Sequence, residues 1–167
     1  TDVRIVNLSL LNTDWYIDQM KRQAYKSAPV PFEMPEEKYR QGTRDIVLLG
    51  DPRGLENPYV DVASAMEHAL DDTKKVDYGD GRGYFELPSF SFSMPVDKSK
   101  LAGVVSNEEM AQVVDSIKWS ITDENGRPKS YILKNHFMVL ELLKNNDWSR
   151  PIYFAVTTGP DSYVGLQ

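Results

Sequence analysis

The chain has 167 residues, 41% of them apolar, enough for one sizeable core and too few for two full domains, so it reads as a single soluble domain over 1–167. Its 19 Lys and Arg against 25 Asp and Glu give a formal charge of -6 with no basic run, which excludes nucleic acid as a partner. With no Cys there are no disulfides, thiolate metal sites or Cys nucleophiles, and no apolar run reaches the roughly 20 residues that cross a bilayer.

The first element is predicted over 3–11, where Val3, Ile5, Val6, Leu8, Leu10 and Leu11 form a nearly continuous apolar run suited to a central strand. Asn7-Leu8-Ser9 matches a glycosylation acceptor but falls inside that strand. Asn12, Thr13 and Asp14 offer N-cap side chains for a helix carrying Tyr16, Ile17, Met20 and Ala24 at helical spacing. The prolines of "APVPFEMP", 28–35, enforce an extended connector. A short strand over 46–49 runs into Gly50-Asp51-Pro52-Arg53-Gly54, a turn by composition. Asn57-Pro58 then reads as an N-cap and first helical position, and Val62, Ala65, Met66, Ala69 and Leu70 mark one face of a helix ending near Asp72.

Residues 76–103 read as a β-rich insertion in which Phe90 and Phe92 alternate with Ser, placed at a sheet edge because Pro88 and Pro95 cannot donate to a ladder. Ser106-Asn107-Glu108-Glu109 is a capping box opening a helix with Met110, Val113, Val114 and Ile117 as its stripe. Asp123-Glu124-Asn125-Gly126 has hairpin-turn chemistry. "HFMVLELLKNN" from His136 is apolar almost all round and predicts a buried helix stopped by Asn145 and Asn146, before a last strand over 152–156. Strands followed by helices at both ends favour an α/β fold, a layered αβα-type unit with a partly parallel sheet plus a β-hairpin embellishment.

In such sheets ligands sit beyond the carboxyl ends of strands, which selects three loops. These are Asn12-Thr13-Asp14-Trp15, Gly50-Asp51-Pro52-Arg53 and Thr157-Thr158-Gly159-Pro160-Asp161, giving Asn12, Asp14, Trp15, Asp51, Arg53, Thr157, Thr158 and Asp161 as candidate ligand-binding residues. Convergence of Asp14, Asp51 and Asp161 on one rim would suit a hard cation in an independent small-molecule or metal-binding enzyme. The plainer reading is one helix cap and two turns, with no metal and no cofactor. Gly79-Asp80-Gly81-Arg82-Gly83 follows a helix and opens a strand, the reverse of a phosphate-binding loop. His68 and His136 have no ligand at metal spacing, and no nucleophile elbow exists, so no catalytic residue is assigned. Trp15, Tyr16, Trp119, Trp148 and Tyr153 form a sugar or peptide platform in one reading and core in the plainer one. A third class, an interaction module, would use the 90–94 edge as its contact.

Three stretches carry a resemblance: "DVRIVNLSLLNTDWYIDQMK", "KSYILKNHFMVLELLKNNDWSRPIYFAVTTG" and the closing "SYVGLQ". Together they resemble the soluble region of a bacterial family of large multi-pass membrane proteins, long catalogued as a domain of unknown function. That family is related to the protein O-mannosyltransferase-like membrane glycosyltransferases. The resemblance implies a noncatalytic domain on the periplasmic side of the inner membrane, tethered through transmembrane helices of the parent chain. Its implied partners are those helices and an acceptor polypeptide, and the reactive loops belong to the membrane part. The lack of an initiator Met or leader and the strand predicted at residue 3 fit an excised piece.

Overall fold

A computed structural model of the chain describes residues 3–153 and 155. Its helices are α1 (Asp14–Met20), α2 (Glu36–Tyr39), α3 (Val62–Leu70), α4 (Asn107–Met110) and α5 (Lys134–Asn146). Its strands are β1 (Ile46–Leu49), β2 (Val60–Asp61), β3 (Val76–Asp77), β4 (Gly83–Leu87), β5 (Ser91–Pro95), β6 (Ser116–Ser120) and β7 (Tyr131–Leu133). The fold is mixed α/β, with two sheets that each contain a parallel pair. The first has the order β3-β4-β1-β7 and the second β2-β5-β6. β1 runs parallel to β4 and antiparallel to β7, while β2 runs parallel to β5 and β5 antiparallel to β6.

The core lies between the inner faces of both sheets and the helices α3 and α5. Val47, Leu49, Phe85, Leu87 and Ile132 alternate inward along the first sheet, as period-two patterning demands. Val47, Leu49, Leu87 and Ile132 form one cluster with Ala65, Met66 and Ala69 of α3 and Phe137, Met138 and Leu140 of α5, while the Phe85 ring faces the Arg44 guanidinium. Burial of each large apolar side chain contributes about 1.5–3 kcal/mol. The outer face of the first sheet keeps Ile46, Tyr131 and Leu133 exposed.

Two buried charges pin irregular chain to this core. Arg44, 1% exposed, donates to the Ala69 and Lys38 carbonyls at 2.9 and 3.1 Å and to Asp72 at 2.8 Å, with its guanidinium 3.7 Å from the Phe85 ring centroid. Glu141 accepts at Oε1 from the Glu33 and Met34 amides at 3.2 and 2.9 Å and from Asn145 Nδ2 at 2.7 Å. Through Glu141 the proline-rich connector is tied to α5, and its Val30, Phe32 and Met34 point alternately into the core.

Several elements depart from the sequence patterns. Residues 3–7 form no strand, and Val3 and Ile5 are 69% and 82% exposed. Here the Asn7 side chain accepts from Leu10 N at 3.3 Å and the Asn7 amide donates to the Tyr16 hydroxyl at 2.8 Å, a local pairing that wins over β propensity. The Asn7-Leu8-Ser9 motif therefore lies on exposed, non-strand chain. α3 starts four residues later than Asn57-Pro58 suggests, capped by Asp61 accepting from Ser64 N, because Val60 and Asp61 pair with β5.

Within 76–103 only the short β3 is an edge strand; the segments flanking the prolines are not, since β4 lies between β3 and β1 and β5 between β2 and β6. Pro88 falls in the connection between β4 and β5, and Pro95 ends β5, so neither occupies a mid-strand donor position. Phe92 is fully buried, which removes the proposed contact edge at 90–94. The capping box at Ser106 and Glu109 forms in both directions, yet α4 is a single turn. Val113 and Val114 lie outside it and Ile117 joins β6, where pairing with β5 overrides the helical spacing. α5 begins two residues before His136 and ends at Asn146, and the left-handed residue is its C-cap Asp147 in place of Asn145 or Asn146. Ile152 and Tyr153 form no strand, and the remainder of the strand predicted over 152–156 falls at the limit of the described residues.

At Gly50 an added Cβ would stand 2.7 Å from the Pro88 carbonyl oxygen, a backbone atom that cannot step aside. Gly50→Ala is expected to lower the unfolding free energy by about 1–3 kcal/mol, measured by urea denaturation. Asp72, bonded first by Lys38 and then by Arg44, is held at about 2 in the folded protein against a usual 3.8. A depressed carboxylate stabilises above its unfolded value and loses that contribution as pH falls from about 4 through about 2. The Tm advantage of the parent chain over Asp72→Asn should therefore shrink across that window in a pH series of melting curves.

Candidate functional site

Lys134 is the first residue of α5, where a positive charge opposes the helix dipole. Two carboxylates compensate it. Its side chain, 2% exposed, donates from Nζ to Asp14 Oδ1 at 3.1 Å and forms an ion pair with Asp45 Oδ1 at 2.9 Å. Asp14 opens α1 and Asp45 precedes β1, so the ammonium joins three elements at their N-terminal ends. The Lys134 amide also donates to the Asp45 carbonyl at 3.0 Å.

The other carboxylate oxygens are held by backbone. Asp14 Oδ2 accepts from Gln41 N at 2.9 Å and Asp45 Oδ2 from Gly42 N at 2.8 Å. Burial, the largest influence on Asp14, pushes its carboxyl up, but the Gln41 amide and the Lys134 ammonium together outweigh it and leave it lowered. Asn12 does not cap its own helix: its Oδ1 accepts from Asn135 N at 3.0 Å, satisfying an orphan donor in the first turn of α5. Thr13 likewise turns back, donating to the Leu10 carbonyl at 2.7 Å.

Together these residues line a cleft of about 520 Å3, with Trp15 on its wall. The Trp15 indole is 59% exposed and meets Tyr16 edge to face at 5.6 Å, while Tyr16 itself is buried. Among the five aromatics named from sequence, Tyr16 and Trp119 belong to the core, whereas Trp15 and Tyr153 are exposed. A second groove of about 390 Å3, lined by Met94, Ile117, Trp119 and Trp148 among others, is mainly apolar.

Of the residues predicted for the site, Asn12, Asp14 and Trp15 come together. Asp51 and Arg53 lie past the other end of β1 and bond each other, with Asp51 Oδ1 also accepting from Arg53 N at 2.9 Å. Thr157, Thr158 and Asp161 lie outside the described residues. Asp14 and Asp51, at opposite ends of β1, therefore do not converge on one rim, and no group of three or more His, Cys, Asp or Glu among the described residues could hold a metal ion. The glycine loop is the link between β3 and β4, closed by Arg82 N donating to Asp80 at 2.9 Å. Sequence reasoning missed Gln41, Asp45 and Lys134. The one available signal was the lysine standing at the start of an apolar helix, where its charge needs a reason.

The family model described as TMEM260-associated domain 2 matches residues 1–167. The chain belongs to that family. No curated protein and no solved structure matches it significantly. Membership embraces the whole chain, so the cleft is a feature of a TMEM260-associated domain 2 fold, and no helix among the described residues is long and apolar enough to cross a membrane.

Lys134→Met keeps the stem and deletes the charge, leaving Asp14 and Asp45 facing each other. Because both carboxylates are partly hydrated, the expected loss is about 2 kcal/mol, below the ~3–5 kcal/mol of a fully buried broken pair. Denaturant unfolding of the single variant, and of Lys134→Met combined with Asp14→Asn, should show the second change recovering part of the loss.

Proposed function

We propose that this chain is a noncatalytic accessory domain of a TMEM260-related, glycosyltransferase-like membrane protein. It stands in water on the periplasmic side, supports the membrane part to which it is joined and helps present the acceptor. The observation that carries this reading is the family match over 1–167. TMEM260 is an O-mannosyltransferase-like membrane protein, so a domain associated with it belongs in the company of glycosyl transfer.

The chemistry of the cleft supports the same conclusion. A general acid or base needs a proton it can exchange near neutral pH. Asp14 is held ionised by its partners, and Asp14 and Asp45 are both engaged by Lys134. His136 is pushed down by burial and by the Lys129 charge, and it is not part of the cleft. Recognition uses such a preset arrangement, whereas proton transfer would have to dismantle it.

Incubated with activated glycosyl donors and polyprenyl-phosphate sugars, the 167-residue chain should give no transfer or hydrolysis above the buffer rate. Turnover at an enzyme-like rate, lost in Asp14→Asn, would overturn the reading. The reading frame that encodes the chain should also run into many hydrophobic spans, and stop codons at both borders would refute the tether.

A further inference from the structure

We infer that the cleft between α1, the loop after α2 and α5 is a binding site for one neutral hexopyranose unit, seated on Trp15 and hydrogen-bonded by the Asp14, Lys134 and Asp45 row. The inference rests on the accessory reading, since it requires a cleft that binds without reacting.

The lining selects the ligand by exclusion. Two carboxylates around one ammonium leave a net negative site, which disfavours phosphate, sulfate and carboxylate ligands. A divalent cation would need six or more oxygens around it and would meet the Lys134 ammonium in the middle of the donor set. An apolar ligand would strip water from Asn12, Thr13, Asp14, Gln41 and Asp45 without replacing its hydrogen bonds.

A pyranose meets every requirement at once. Each carboxylate oxygen already takes one bond from Lys134, Gln41 N or Gly42 N and retains lone-pair capacity for a hydroxyl donor. The ammonium carries three N–H groups for its two carboxylate contacts, and the exposed Gln41 adds an amide that both donates and accepts. Hydroxyl groups on adjacent ring carbons can donate to a carboxylate while accepting from the ammonium, which a peptide backbone with one donor and one acceptor per residue matches poorly. The C–H face of the ring finds its counterpart in the indole of Trp15, left 59% exposed at the cleft wall while its neighbour Tyr16 is buried. Lys134, 1% exposed and locked by two partners, makes the polar floor rigid, so little ordering is required on binding. At about 520 Å3 the cleft falls in the range of small-molecule sites and exceeds what one sugar ring fills, leaving room for the group to which it is linked.

The test is a titration of the 15N-labelled 167-residue chain with methyl glycosides of gluco, manno and galacto configuration, followed in amide and indole N–H spectra. Inorganic phosphate and an unglycosylated Ser/Thr peptide serve as controls. At least one glycoside should saturate with a Kd on the order of 1 mM, shifting Trp15 Nε1–H and the Gln41, Gly42 and Asn135 amides together. Trp15→Ala should weaken binding at least tenfold with Tm unchanged, and Gln41→Ala several-fold. Absence of saturation by every glycoside, tighter binding of phosphate or of the bare peptide, or undiminished affinity in Trp15→Ala would each overturn the inference. Its failure is separable from that of the accessory reading: a chain that binds no sugar and turns none over loses only this site, whereas one that binds and hydrolyses the glycoside loses the noncatalytic role and, with it, a cleft that binds without reacting.

Discussion

The arrangement depends on one ammonium group. Lys134 starts the most buried helix, and its charge is acceptable there only because Asp14 and Asp45 arrive from two other parts of the chain. Those carboxylates set the position of α1 and of the N-terminal end of β1 relative to α5. Around this contact the backbone completes itself: Asn12 caps α5 from outside, and the Gln41 and Gly42 amides close over the acids. A hydrophobic core alone would leave the loops between these elements free to choose among many packings. The two ion pairs bring α1, the start of β1 and α5 together at one point.

Arg44 and Glu141 extend the same logic. Each is nearly inaccessible to water and each binds main chain from an irregular segment, Arg44 the carbonyls of Lys38 and Ala69, Glu141 the amides of Glu33 and Met34. In the stretch between α1 and β1, prolines limit the backbone donors available for a sheet, so side chains supply the hydrogen bonds instead. This is how a long connector is fixed with the single turn of α2 as its one regular helix, and how Gln41 and Asp45 are delivered to the cleft.

The cleft inherits its character from its structural role. Its charges are spent on one another, which suppresses acid–base reactivity and leaves directional donors and acceptors beside an exposed indole. Such a surface discriminates ligands by hydroxyl geometry and shape more than by charge. In the accessory role proposed above, recognition of that kind is what the cleft would contribute.

The sequence by itself determined the fold class and the local elements whose signals lie within a few residues. The capping box at Ser106, the turn at Asn125-Gly126, β1 and the apolar faces of α3 and α5 are all present. Such features are written in backbone and capping preferences that act over one turn or one strand. Tertiary structure decided what needed a distant partner. Ile117 leaves a helical pattern because β5 offers it a ladder, and α3 starts late because Val60 and Asp61 pair with β5. Asn12, Asp14 and Trp15 were legible as a polar corner with an aromatic beside it. That the corner faces Gln41, Asp45 and Lys134, and not Asp51, follows from long-range pairing of charges, whose energy depends on distances that no local pattern encodes.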